Sequence, residues 1–151
     1  MNFTRLYLMR LLRKCCFFVI FYSLLSSCSR EPTPQLLIGD WLWVGSSGGI
    51  AGATYKPKPS ERIILNMSGD GKFTVRQNDT LVHNGTFQLT KAKSIYSGKE
   101  EVALKTSEVK TSYQRVLRYV VVVDGVITPS NTELFISDNS YDGFGSSFVR
   151  N

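Results

Sequence analysis

From Leu36 onward, apolar residues recur at alternate positions in short runs separated by Gly, Asn, Asp and Pro. Alternation with a period of two marks half-buried strands, and turn residues about every ten positions mark the joints between them. Asp40–Gly45 puts Trp41 and Trp43 on one face. Arg62–Met67 does the same with Ile63, Leu65 and Met67, and Lys72–Gln77 with Phe73 and Val75. Leu81–Thr90 follows, with Phe87 and Leu89 inward and Gly85 as a bulge or bend, and then Glu101–Thr106 with Val102 and Leu104. Tyr113–Val123 is the longest predicted strand; Val126–Thr128, Thr132–Ser137 and Ser146–Arg150 complete the set. Ser68–Gly71, Asn78-Asp79 and Asp124-Gly125 carry hairpin chemistry, because Gly, Asn and Asp accept positive φ. About eight or nine strands joined by short turns make a meander, and an antiparallel sheet of that size avoids open edges by closing. The predicted fold class is all-β, an antiparallel up-and-down (meander) β-barrel.

Two stretches stand out from this rhythm. Ser46–Ser60 is rich in Gly and interrupted by Pro57 and Pro59. It predicts a long loop, a candidate lid over the barrel mouth with Tyr55 as its aromatic contact. Val116–Val123 is apolar on both faces near its end, so one face is expected to fill the barrel and the other to be covered by a loop or a partner.

The first 35 residues are patterned differently. An apolar stretch, Cys15 to Leu25, follows Arg5, Arg10, Arg13 and Lys14. A basic segment, a short apolar run and small residues make a secretory signal. The run is too short to span a bilayer, which takes roughly 17–25 apolar residues. Leu25-Ser26-Ser27-Cys28 resembles a bacterial lipobox, whose Cys is acylated, in part by palmitate, and becomes the first residue of the exported chain. The implied organisation is a signal peptide at 1–27, a flexible tether at 28–35 and one barrel domain at 36–151. Cys28 is the lipidation site, and the lipid anchor makes the membrane a partner. Ser29, following the Cys in place of Asp, resembles the bacterial sorting signal for the outer membrane. A start at Met9 would leave the same product.

Charge and cysteine content narrow the function. Four of the 18 Lys and Arg, and none of the 12 Asp and Glu, precede Cys28, so the net charge of +6 falls to +2 in the chain from Cys28 on. That balance gives no reason to expect nucleic acid, whose binders carry a basic patch. Cys15 and Cys16 leave with the signal and Cys28 is acylated, so no disulfide forms within the exported chain. With His83 the one histidine and no free thiol, zinc lacks its three or four ligands. No metal or cofactor is expected.

The wider pattern resembles the small bacterial lipocalin-like lipoproteins. Its pieces here are Gly39-Asp40-Trp41 with Trp43, Gly48-Gly49-Ile50, Asp70-Gly71-Lys72-Phe73, Asp138-Asn139-Ser140-Tyr141-Asp142-Gly143 and Phe148-Val149-Arg150. The resemblance covers about residues 36–151. It implies a barrel whose first-strand Trp41, beside Gly39, plugs the closed end under Arg150.

Two readings of the inward aromatics stay open. Trp43, Phe73, Phe87 and Tyr119, with Ile50 and Tyr55 from the first loop, line a pocket for a small apolar ligand, or they fill the core of a protein-interaction module. Catalysis is not expected. Asp70, Asp79, Asp124, Asp138 and Asp142 fall in predicted turns, where carboxylates cap the backbone. Asp138-x-Ser140-x-Asp142-Gly143 has the alternate oxygens of a calcium loop, but Val149 stands where its closing acid belongs. The expected function is a lipid-anchored, non-catalytic envelope binding module.

Overall fold

The computed structural model describes residues 34–111 and 121–151. A helical turn, α1 (Pro34–Leu37), leads into β1 (Gly39–Gly48) and β2 (Ala53–Tyr55). Then come β3 (Ile63–Met67), β4 (Lys72–Gln77), β5 (Thr80–Lys93), β6 (Glu100–Thr111), β7 (Gly125–Pro129), β8 (Glu133–Ser137) and β9 (Phe144–Arg150). Eight strands form a closed antiparallel meander, β1-β3-β4-β5-β6-β7-β8-β9, and β1 pairs with β9 to complete the ring. β2 lies outside that ring as an extra strand on β1.

β1 makes closure possible by its length. One edge pairs with β9 from Trp41↔Arg150 to Gly48↔Phe144. The other edge pairs with β3 over Gly39–Leu42 and with β2 over Ser46–Gly48. The register shifts between Trp43 and Gly45, so Val44 bulges outward and the inward series runs Trp41, Trp43, Ser46. Inside, Trp41, Trp43, Ile63, Leu65, Met67, Phe73, Val75, Leu104, Ile127, Leu134, Ile136 and Phe148 form one buried cluster.

Eight of the nine predicted strands fall where alternation placed them, with ends shifted by several residues in β1, β5 and β6. Asn78 (φ 46°) and Asp79 (φ 65°) form the two-residue turn between Gln77 and Thr80 that right-twisted strands favour. At Gly85 the β5–β6 register shifts, and β6 supplies the additional residue.

Four expectations are corrected. The first-loop region Ser46–Ser60 is largely a hairpin: Ser46–Gly48 continue β1, and Ala53–Tyr55 return as β2. The physical reason is that β1 outruns β3, and the exposed edge recruits the chain that follows it. Residues 121–123 of the predicted strand Tyr113–Val123 form no strand; the remainder, with Tyr119, lies outside the described residues. Val122 instead joins the interior cluster, and its N–H donates to the inward Oγ of Ser146 at 2.8 Å. A segment apolar on both faces suits a position surrounded by protein better than a wall with one wet side. Asp124-Gly125 is not a hairpin turn. The Asp124 carboxylate accepts the N–H of Thr106 at 2.6 Å and its hydroxyl at 2.8 Å, and Gly125 opens β7. Finally, Pro34 and Gln35, assigned to the tether, begin α1.

Trp41 is fully buried where the chain enters the barrel. Replacing a buried large aromatic by Ala costs about 3–5 kcal/mol. Trp41→Ala is therefore expected to lower unfolding free energy by that amount in chemical denaturation.

Candidate functional site

The two ends of the barrel differ in character. At the entry end, Arg150 Cζ lies 4.1 Å from the centre of the Trp41 ring. The guanidinium donates through Nε to the carbonyl of Asn131 (2.8 Å), Nη1 to Ile38 (3.0 Å) and Nη2 to Leu36 (2.7 Å). The Trp41 indole N–H donates to the carbonyl of Leu37 at 2.7 Å. Gly39 has φ +130°, and a Cβ there would stand 2.9 Å from Nη1 of Arg150. Cation–π contact of this kind stabilises by roughly 0.5–2 kcal/mol. These groups are occupied with one another, so this end closes the barrel and ties α1 to it.

Buried side chains meet inside the barrel. Trp43 is fully buried, and its indole N–H donates to Ser46 Oγ at 2.9 Å. Ser46 Oγ lies 2.6 Å from Ser146 Oγ, which also accepts the N–H of Val122. A buried polar chain thus runs from an indole through two hydroxyls to a backbone amide, each partner satisfying the next. Phe73 is buried as well, while Phe87 is half-buried against the same cluster. Tyr55 is half-buried at the rim, its ring centre 5.9 Å from that of Phe144. Ile50 stands in solvent at the β1–β2 turn, 90 % exposed. The structure therefore brings Trp43 and Phe73 into one core and separates Ile50 from them.

The features that sequence reasoning missed lie at the far end and on the outer wall. The β5–β6 hairpin pairs with β7 only at Ala103↔Val126 and Leu104↔Gly125. Its tip leaves the wall and lies against the β8–β9 loop. Asn139, at φ 54°, holds it there: the side-chain amide donates to the carbonyl of Lys93 at 3.0 Å and accepts the N–H of Ile95 at 2.9 Å. Tyr96 Oη adds a bond to the carbonyl of Ser140 at 3.1 Å. Asp138 shapes that loop by accepting the N–H groups of Ser140 and Phe144. The β1–β2 turn joins through Gly49 N–H to the carbonyl of Gly143 at 3.0 Å. Three loops thus meet, carrying Ile50, Tyr141 (84 % exposed) and Tyr96 (67 % exposed).

Under the hairpin tip lies a groove of about 400 Å³, bounded by the tip, the β8–β9 loop and the outer faces of β7, β8, β9 and β1. Its size falls within the roughly 300–1,000 Å³ of ligand pockets. Val126 and Ala103 are buried here yet stand outside the interior cluster, so the tip covers a small second core. A second hollow, also about 400 Å³, lies on the outer side of β1 and β2 and includes Val44, Thr54 and Lys56. Alternation marks Val126 and Phe135 as outward, which was the available signal; the covering hairpin was not visible locally.

Among the described residues there is no group of three His, Cys, Asp or Glu side chains placed to hold a metal, and no helix long and apolar enough to cross a membrane. Comparison with known proteins finds no matching family model, no matching curated protein and no matching solved structure.

His83 is half-buried on β5, Nδ1 3.0 Å from Thr111 Oγ1, and burial pushes its pKa below the ordinary 6.5. The folded state therefore favours the neutral ring. That contribution is complete above pH 6.5 and is lost as the pH falls from there through the folded pKa. His83→Gln is expected to flatten this part of the stability–pH curve, measured by denaturant midpoints. Asn139→Ala removes both bonds to the hairpin tip. Amide exchange at Ile95 should accelerate about tenfold, the equivalent of one net hydrogen bond, with little change in global stability.

Proposed function

We propose that this chain is a lipid-anchored, lipocalin-like module of the cell envelope, held at the outer membrane through Cys28, that binds from its outside and performs no catalysis. The observation that carries this reading is the set of aromatics buried inside the barrel: Trp43, Phe73 and Phe148 belong to one cluster, and Val122 adds a further segment of the same chain. That leaves less room for an internal apolar ligand and turns attention to the exposed loop end.

The place where the chain enters the barrel supports the same reading. α1 enters the barrel beside Trp41, where Arg150 binds the Leu36 and Ile38 carbonyls. From Cys28 to Pro34 the chain is six residues, at most roughly 20 Å when extended. A lipid on Cys28 then keeps the point where the chain enters the barrel within that reach of the bilayer. β1, ten residues long, carries the chain to the opposite end, so Ile50, Tyr96 and Tyr141 lie at the end remote from that entry point. Exposed apolar groups clustered at that position suit a partner other than the anchoring bilayer.

Two measurements test this reading together. An alkyne analogue of palmitate should label the protein in its host, and Cys28→Ala should abolish the label; persistent labelling would refute the anchor. Hydrogen exchange in intact envelopes, compared with the purified protein, should show protection at residues 49–52, 94–99 and 138–143. Protection centred on Val122 and Trp43 instead would restore the internal-ligand reading.

A further inference from the structure

We infer that the groove under the β5–β6 hairpin tip is a binding site for a neutral oligosaccharide. The inference rests on the exterior-binding reading and names the ligand class for it.

The floor of the groove is unusual for a barrel exterior. Ser137, Gly145 and Ser47 lie side by side across β8, β9 and β1. Neighbouring strands are about 4.8 Å apart, so two hydroxyls flank a position without a side chain. Phe135 leans into that gap: a Cβ on Gly145 would stand 2.3 Å from its Cζ. The glycine is what admits the ring, and Phe135 remains partly exposed above it. Thr128 is the cross-strand partner of Phe135. Among the described residues, the hydroxyls of Ser47, Thr128 and Ser137 make no hydrogen bond. The roof brings a second aromatic, Tyr96, and the carboxylate of Glu101, which accepts from Ser97 Oγ.

A sugar ring has an apolar C–H face and an edge of hydroxyls, each both donor and acceptor. It calls for an aromatic surface beside adaptable hydroxyl, amide and carboxylate groups. This groove has those groups within one concavity. Other ligands fit less well. None of the described lining residues is Lys or Arg, and Glu101 adds negative charge, so phosphate and other anions are disfavoured. A hydrocarbon chain would cover three hydroxyls without bonding them, which costs free energy.

The test uses the whole ¹⁵N-labelled protein in micelles of a detergent without a sugar headgroup. It is titrated separately with cellotriose, maltotriose and triacetylchitotriose. At least one trisaccharide should produce saturable shifts at the amides of Ser47, Tyr96, Phe135 and Gly145, while the indole signals of Trp41 and Trp43 stay still. Thr128→Val, which keeps the shape and removes a hydroxyl, and Phe135→Ala should each weaken binding about two- to tenfold. Phe135→Ala also uncovers Gly145, so Thr128→Val is the cleaner variant. Absence of saturable shifts with all three sugars would overturn the inference, as would shifts that Thr128→Val and Phe135→Ala leave unchanged. So would loop protection in envelopes that survives periodate oxidation of their glycans, which points to a protein partner. Those results leave the exterior-binding reading standing, whereas loss of loop protection in untreated envelopes removes that reading itself.

Discussion

The ladder between β1 and β9 is the constraint from which the rest of the structure follows. Without it the meander is an open sheet with two free edges. With it, the first and last strands become neighbours, and eight strands enclose an interior. The ladder is anchored at one end by Arg150 over Trp41 and continues to Phe144 opposite Gly48. Because Arg150 also binds carbonyls on both sides of Leu37 and one at Asn131, the same side chain closes the barrel, ties in α1 and holds the β7–β8 turn.

Closure encloses an interior, and part of its packing depends on one irregularity. The bulge at Val44 rotates the second half of β1 so that Ser46 faces inward. A strict alternation would have put Gly45 there, and the Trp43 indole would have lost the hydroxyl it donates to. The bulge therefore builds the buried chain Trp43–Ser46–Ser146, whose last member receives the backbone of Val122. An unpaired polar group in this setting would cost about 1–3 kcal/mol. The arrangement explains how a segment without ladder bonds is accepted inside a barrel.

The wall has an uneven seam. β6 and β7 share two residue pairs, whereas β5 and β6 run together for most of their length. Before Ala103 the β5–β6 hairpin no longer pairs with β7, although β7 runs on to Pro129, and its tip folds over the outer faces of β7, β8 and β9. Asn139 substitutes for the missing ladder with one donor and one acceptor on its side chain. An outer groove with its own small core results, at the end of the barrel remote from the Trp41 plug. The limited pairing that frees the hairpin thus also creates the concavity beneath it.

Local pattern determined much of this protein. Period-two alternation marks β3, β4, β7 and β8 nearly to the residue, and Asn78-Asp79 declares its turn, because side-chain direction and turn torsions are properties of adjacent residues. The Trp41–Arg150 pair was legible by resemblance alone; nothing local links residues so far apart. Tertiary structure decided the rest. Whether Val121–Val123 lies in the wall or inside depends on how much edge β6 offers β7. Whether Ser46–Tyr55 is a loop or a hairpin depends on how far β1 outruns β3. Whether Phe135 faces open water or the floor of a groove depends on where a hairpin far away in sequence comes to rest. Each of these is a competition among edges and faces that only the closed barrel brings together, and alternation along one strand carries no information about it.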